Sequence, residues 1–284
     1  MKEKIKNSLI IISISIIILT IGMFWYDQIN YYSYYSSDNY TETNCDKNQN
    51  VALIKIQGEI VTYDNWYGDQ GEYHEDIVSS ERIVGYIQDA NEKDHIKAII
   101  IEIDSYGGLP VASEEIMNAI KRSKKMTIAV IRDAGASGAY LIASAADYIY
   151  ASEMSNVGGI GITMSYLDYS QANKLEGVIY QELTSAKFKD TGSPDKDLAK
   201  EEREILMRDI NIMHDIFIRK IAENRNLDVE KIKELADGST MMGKMAKENN
   251  LIDEIGDIYD AQEWIKEKLN ITPEICFFGL VIEI

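Results

Sequence analysis

Two segments of the chain place small residues and hydroxyl groups directly after strands that are predicted to be buried. The first is DSYGG at 104–108, and the second is DAGASGAY at 133–140, which carries Ser137 beside a glycine. Glycine lets backbone N–H groups approach a substrate closely, and a helix N-terminus adds N–H donors that have no partner within the helix. Two such turns side by side can stabilise the oxyanion of an acyl-transfer reaction, for which a serine can be the nucleophile.

Ser137 also has a plain structural interpretation. Serine is a favoured N-cap residue, and small neighbours suit close packing of a helix on a strand. This segment by itself favours that interpretation. It also lacks the G-x-S-x-G pattern of the ordinary hydrolase elbow, because Ala139 stands at the second glycine position.

A serine nucleophile needs a base, and histidine is a poor candidate here. None of the three histidines lies in a turn of this kind: His74, His95 and His214. The other option is a lysine, and Lys187 and Lys189 lie in a polar loop after a predicted strand at 178–183. Burial must lower the pKa of such a lysine from about 10.4 toward 7–8, which costs roughly 3–5 kcal/mol. For an arbitrary loop lysine, a solvated surface role is the better explanation.

Strands and helices alternate along the part of the chain that must position these groups. The run IKAIIIEID at 96–104 is almost continuously apolar, as a parallel strand covered on both faces requires. We predict further strands at 51–61, 126–133 and 148–152, and helices at 79–94, 112–125, 136–147 and 195–225. This order predicts an α/β domain with a mostly parallel sheet, whose ligands bind at the carboxyl ends of the strands.

Composition excludes several classes of protein. The chain has 284 residues, 45% of them hydrophobic, and a net charge of -18, so it can form a large core but repels nucleic acid. Its two cysteines, Cys45 and Cys276, are too few for a framework of several disulfides or a four-ligand zinc site. We expect no metal or cofactor.

The N-terminal region predicts a membrane anchor. Residues 8–26 form 19 consecutive uncharged, largely apolar positions, about 28 Å as a helix, preceded by Lys2, Lys4 and Lys6. The positive charges place residues 1–7 in the cytoplasm and the rest outside. A cleaved signal peptide is the alternative, but the apolar run is long and no A-x-A-like site follows it. Residues 27–50 are then a tether, and 51–284 the folded domain.

Five motifs in order give the chain a family resemblance. They are IEIDSYGG, AGASGAYLIASAADYIYAS, NVGGIGI, SAKFKDTGSPDKDLAKEE and ADGSTMMGKMAKENNLIDEIG. From about Ile54 to Gly256 the chain resembles the membrane-anchored bacterial signal peptide peptidase A (SppA) proteins. These are serine peptidases of the Clp-protease/crotonase fold, a ββα superhelix.

The resemblance implies a role for individual residues. It makes Ser137 the nucleophile and Lys189 the general base, while Lys187 falls two positions early. The oxyanion donors map to the backbone N–H groups of Gly108 and Gly138. Ser185 is a candidate for orienting the lysine.

The resemblance also implies function and partners. It implies hydrolysis of remnant signal peptides and other apolar peptides by a homo-oligomeric ring with an extracytoplasmic active site. Two alternatives stay open: a catalytically inactive scaffold or peptide-binding protein of the same fold, and a crotonase-type acyl-CoA enzyme. The latter needs a cytoplasmic domain.

Three departures from the family pattern affect these expectations. Tyr106 replaces a usual proline, which predicts a less rigid first turn, and Ala139 replaces a glycine, which predicts slight crowding of the pocket. Residues 239–242 replace a commoner basic and aromatic pattern. Met241 and Met242 there suggest a pliable apolar pocket.

Overall fold

A computed structural model describes residues 45–63 and 77–279, together with residues 20, 22, 23 and 26. Contacts group Cys45–Gly279 into one compact unit. The predicted anchor and tether, His74 and the last five residues lie largely or wholly outside the described residues. Within the described part, no helix has both the length and the apolar character needed to cross a bilayer.

The core of the unit is a mostly parallel sheet. Its described strands, with two short ones beside it, are β1 (Val51–Gln57), β2 (Glu59–Val61), β3 (Ile77–Ser79), β4 (Ala98–Ser105), β5 (Met126–Ala136), β6 (Tyr148–Ala151), β7 (Asn156–Gly158), β8 (Thr240–Met242), β9 (Glu254–Ile255) and β10 (Ile275–Phe278). The main sheet has the order β10-β1-β4-β5-β6-β9, and all of these neighbours are parallel. β7 extends the far end of β5 and pairs antiparallel with β8, while β2 and β3 form a separate parallel pair. The expected α/β class with a mostly parallel sheet is confirmed.

Helices connect the strands and cover the sheet. Those described are α1 (Ser80–Glu92), α2 (Pro110–Lys121), α3 (Gly138–Ala143), α4 (Ser170–Leu175), α5 (Lys200–Arg225), α6 (Val229–Leu235), α7 (Gly243–Glu248) and α8 (Ile258–Leu269). β4 is followed by α2, and β5 by α3. The carboxyl ends of these two neighbouring strands therefore meet at one edge of the sheet, as the sequence predicts.

Both faces of the central strands are buried, which explains their near-continuous apolar sequence. In β4, Ile99, Ile101 and Ile103 lie in the larger apolar cluster, which includes residues of α1, α2, α3 and α5. Ala98 and Ile100 point to the other face, where residues of α8 complete a second cluster. Side chains alternate across a strand, so a strand covered on both sides needs apolar residues at nearly every position.

One predicted strand is wrong. Residues 178–183 form no strand, and Ile179 and Leu183 are 78% and 94% exposed. A short apolar run becomes a strand only where a neighbouring strand offers backbone hydrogen bonds, and the chain provides none here among the described residues.

The two cysteines form a disulfide that sequence reasoning did not predict. Cys45 and Cys276 lie 231 positions apart in sequence, with Cα atoms 5.6 Å apart. Cys276 lies in β10, which pairs with β1. The bridge therefore joins the start of the compact unit to its last described strand.

Candidate active site

Ser137 joins β5 to α3 in an unusual backbone conformation. Its φ and ψ are 52° and -125°, a region that side chains other than glycine rarely adopt. Such a conformation persists only where surrounding structure enforces it, and it is concentrated at functional sites. The Ser137 N–H donates to the carbonyl of Gly158 at 2.8 Å, which holds the turn against β7.

The hydroxyl of Ser137 does not cap α3. Ser137 occupies the N-cap position, yet its side chain makes no capping hydrogen bond. Among the described residues, its Oγ has no hydrogen-bond partner at all. The capping interpretation is therefore wrong, and the hydroxyl is free to react.

Gly108 presents its N–H to the same site. The Ile60 N–H donates to the Gly107 carbonyl at 3.0 Å, and the Leu109 N–H donates to the Ile60 carbonyl at 2.7 Å. Ile60 and Gly108 thus form an isolated parallel β-bridge, in which Ile60 is hydrogen-bonded by the residues on either side of Gly108. The N–H and carbonyl groups of Gly108 itself therefore point away from Ile60. Within the described part of the chain, the Gly108 N–H has no acceptor.

Gly138 supplies a second N–H close by. It is the first residue of α3, so its N–H has no carbonyl partner within the helix. A Cβ built on Gly138 would lie 3.5 Å from the Gly108 nitrogen and 3.0 Å from Ser113 Cβ. The two glycines are therefore in close contact, and their N–H groups can converge beside Ser137.

Hydrogen bonds hold the first turn against its neighbours. The Ser105 hydroxyl donates to the Gly58 carbonyl at 2.6 Å and accepts the Gly107 N–H at 3.0 Å. Asp104 Oδ1 accepts the Ala134 N–H at 3.2 Å, which ties the end of β4 to the end of β5. Ser105 is buried, so the turn keeps its shape by internal polar contacts.

A cavity of about 270 Å³ opens beside Ser137, Gly108 and Gly138. Its apolar lining comes from α2, α3, α5 and the segment after β7, and consists of Pro110, Val111, Leu141, Ile162, Met213, Ile216 and Phe217. One ion pair also lines it, between Lys220 Nζ and Glu114 Oε1 at 2.8 Å. The cavity can accept an uncharged side chain of an acyl group that is bound at Ser137.

Lys189 and Ser185 lie elsewhere on the chain. Both are exposed, in turns between residues 185 and 192, and neither lines the cavity of Ser137. Lys187 is also exposed, and its ammonium lies 5.0 Å from the centre of the Phe188 ring. Within one described chain, Ser137 is therefore grouped with Gly108 and Gly138 but not with these three residues.

A charged cluster around Lys196 organises the loop that carries Lys189. Lys196 Nζ lies 2.8 Å from Glu182, 3.0 Å from Glu202 and 3.4 Å from Asp190. These carboxylates, Glu182 foremost, raise the pKa of Lys196. The Ala199 N–H and then Lys196 lower the pKa of Glu202. The segment between β7 and α5 is thus held by polar contacts rather than by an apolar core.

The departures from the family pattern have limited effects on the cavity. Ala139 is fully buried in the larger apolar cluster and does not line the cavity, so the expected crowding is wrong. Tyr106 is exposed and also lies outside the lining. Met241 packs against the larger cluster and Met242 is half exposed, and neither lines this cavity, to which Met213 contributes instead.

Several known proteins with similar sequences are peptidases by name. A putative protease of Methanocaldococcus jannaschii is 31% identical over 82% of this chain and 75% of its own length. A putative signal peptide peptidase SppA of Enterococcus faecium is 29% identical over 84% of this chain and 70% of its own length. Protease 4 of Haemophilus influenzae is 29% identical over 78% of this chain, which corresponds to 35% of that longer protein.

A solved structure with partial likeness is a ClpP1 mutant of Listeria monocytogenes. It shares 19% identity with this chain at a TM-score of 0.47, covering 73% of this chain and 92% of the other.

The α/β fold, the strained serine and the two main-chain donors are the features of a serine-type peptidase. The model of peptidase family S49 matches residues 119–272, which include Ser137 and more than half of the chain. The chain therefore belongs to peptidase family S49.

Proposed function

We propose that this protein is a membrane-anchored serine endopeptidase in which Ser137 and Lys189 form a catalytic dyad. The observation that carries the proposal is the state of Ser137. Its backbone is strained, its hydroxyl is unused, and it faces a cavity beside two N–H groups that have no partner in the described structure. A strained serine with an unused hydroxyl beside two unpaired N–H donors suits acyl transfer.

The reaction follows from the chemistry of these groups. Neutral Lys189 accepts the proton of the Ser137 hydroxyl while Oγ attacks the carbonyl carbon of a peptide bond. The N–H groups of Gly108 and Gly138 stabilise the oxyanion, each donor contributing about 3–4 kcal/mol at the transition state. The lysine returns the proton to the leaving amine, and water then hydrolyses the acyl-enzyme by the same route.

Assembly of several copies is the step that would complete this site. Lys189 is exposed in one chain, whereas a lysine base has to be shielded from water to become neutral. Its segment also exposes many large apolar side chains: Met164, Tyr166, Leu167, Tyr169, Leu175, Val178, Ile179, Tyr180, Leu183 and Phe188. So many exposed apolar groups in one segment are typical of an interface. We propose that they are covered in a homo-oligomeric ring, where a Lys189 reaches a Ser137 and Ser185 helps to orient the lysine.

The apolar cavity supports a preference for apolar peptides. Seven apolar side chains line it, so burying an apolar substrate side chain there is favourable by about 25 cal/mol per Å². Remnant signal peptides are substrates of this kind. The name of the Enterococcus faecium relative, a putative signal peptide peptidase, agrees with such a substrate.

The proposed location is the outer side of the cell membrane. The uncharged segment at 8–26 and the preceding Lys2, Lys4 and Lys6 support an anchor with a cytoplasmic N-terminus. The disulfide between Cys45 and Cys276 supports an oxidising compartment for the peptidase domain. Protease added to intact spheroplasts should digest the domain, and protection of the domain would contradict this orientation.

The test of the dyad compares two neighbouring lysines. We expect the full-length protein to cleave a fluorogenic peptide with an apolar residue before the scissile bond. Ser137→Ala and Lys189→Met should abolish cleavage, while Lys187→Met, an equally exposed lysine two positions away, should retain it. Loss of activity in Lys187→Met with full activity in Lys189→Met would show that Lys187 is the base and would refute the assignment to Lys189.

A peptide-binding scaffold without activity is the second candidate. The exposure of Lys189 in one chain is the observation that favours it. The scaffold would bind an apolar peptide in the cavity but would not cleave it in any oligomeric state. Peptide binding with no turnover by the assembled wild-type protein would establish this alternative.

A further inference from the structure

The cavity of Ser137 contains a charged pair that the proposed reaction does not use. Among the described residues that line the cavity, Glu114 and Lys220 are the charged ones, and Nζ and Oε1 lie 2.8 Å apart. Glu114 belongs to α2 and Lys220 to α5, so the ion pair crosses between two walls of the cavity. It is the charged element of a lining that is otherwise largely apolar.

Partial burial makes the balance of these two charges matter. The side chains of Lys220 and Glu114 are 26% and 43% exposed. A charge in a partly desolvated wall interacts with an incoming charge more strongly than it would in water. While the pair is intact the charges cancel, and neither end offers a free partner to an acidic or basic side chain.

The amine of Lys220 is engaged with Glu114 and makes no hydrogen bond to Ser137 among the described residues. The pair also affects which substrate side chain the cavity can bind, because it adds no net charge to a lining that is largely apolar. Its natural role is therefore in selecting the substrate.

We propose that the Glu114–Lys220 ion pair is a specificity determinant of the cavity. It keeps the cavity selective for an uncharged, apolar side chain on the residue whose carbonyl Ser137 attacks. Removing the charge of one of these two residues would leave the other residue without a partner. The preference would then shift toward a substrate side chain whose charge is opposite to that of the remaining residue. This inference rests on the proposed peptidase function.

Three peptides that differ only at this substrate residue test the proposal: one has leucine there, one lysine and one glutamate. We expect the wild-type full-length protein to prefer leucine. Lys220→Met leaves Glu114 unpaired and should raise the kcat/KM for the lysine peptide, relative to leucine, by about tenfold. Glu114→Gln should raise the kcat/KM for the glutamate peptide by a similar factor, because a tenfold change corresponds to only about 1.4 kcal/mol.

A second ion pair between the same helices provides the matched control. Lys121 Nζ lies 2.9 Å from Glu223 Oε1, again joining α2 to α5, but neither residue lines the cavity. Lys121→Met should therefore leave the ranking of the three peptides unchanged. The double variant Glu114→Lys/Lys220→Glu restores a neutral pair with reversed polarity and should return the preference to leucine.

The outcomes separate this inference from the proposed function. Cleavage of none of the three peptides by the assembled wild-type protein counts against the peptidase. If the wild type cleaves the leucine peptide and both single variants keep the wild-type ranking, the ion pair has no role in selection. A shift in ranking by Lys121→Met as large as that by Lys220→Met would also overturn the inference, because the effect would then come from helix packing.

Discussion

Replacing Gly108 with alanine isolates the proposed oxyanion site, because the new methyl group has no space. A Cβ on Gly108 would lie 2.5 Å from the Ile60 nitrogen and 2.8 Å from its carbonyl carbon. Carbon atoms in contact prefer roughly 3.5–4.0 Å, so the two backbones must separate by at least about 0.7 Å. Ile60 is fully buried in β2, so we expect the displacement to fall mainly on the Gly108 turn.

That displacement is enough to lose the proposed hydrogen bond. The Gly108 N–H points away from Ile60, so the shift drives this donor into the space of the oxyanion: an N–H···O distance of about 2.9 Å would shrink to roughly 2.2 Å, too short for a hydrogen bond, and the donor must leave its position. Loss of one oxyanion donor costs about 2.7–4 kcal/mol, so kcat should fall about 10²- to 10³-fold. The assay is steady-state cleavage of the apolar fluorogenic peptide, with circular dichroism to confirm that the variant is folded.

Gly85 provides the matched control. It lies in α1, and a Cβ built there has no other atom within 4 Å. Gly85→Ala should leave kcat unchanged and stabilise the helix by about 0.5–1 kcal/mol. A folded Gly108→Ala variant with wild-type kcat would refute the assignment of its N–H to the oxyanion.

Two further predictions concern stability. Replacing Cys45 and Cys276 with serine should lower the free energy of unfolding by about 2–5 kcal/mol, because the bridge closes a loop of 231 residues; an unchanged urea midpoint would contradict this. Tyr140→Phe removes a buried hydroxyl that donates to the Leu251 carbonyl at 2.8 Å, which should cost about 1–3 kcal/mol at pH 8. Burial raises the pKa of Tyr140, so the unfolded chain loses this proton first and the wild type loses stability as the pH rises above 10. The variant should lose less between pH 8 and pH 11 in urea unfolding, and an equal loss would show that Tyr140 is not responsible.

The parts of the fold that can be predicted from the sequence are the strands that are buried on both faces of the sheet. β4 and β5 could be predicted because apolar residues at nearly every position have one common explanation, a covered parallel strand. The apolar run at 178–183 has the same local pattern but no strand beside it, so it stays exposed. Pairing partners are a property of the whole chain, which local periodicity does not contain.

The site divides in the same way. The two turns could be predicted from glycine and serine directly after strands, and they do come together in the structure. The strain at Ser137 could not be predicted, because it depends on how β7 and the Gly108 turn hold the backbone from outside the segment. The environment of Lys189 could not be predicted either, since shielding of a loop residue depends on groups distant in sequence or on another copy. The link between Cys45 and Cys276 was missed for a related reason: a separation of 231 positions gives no information about distance.

The disulfide also changes what a break in the main chain would do. Residues 45–276 and the bridge form a closed covalent circle, so a cut at one peptide bond inside it releases nothing. In the single chain, the exposed segment between β7 and α5 is the obvious place for proteolytic nicking. Such a nicked molecule would migrate as a single species without reductant and as two fragments with it, so electrophoresis under oxidising conditions would conceal the damage.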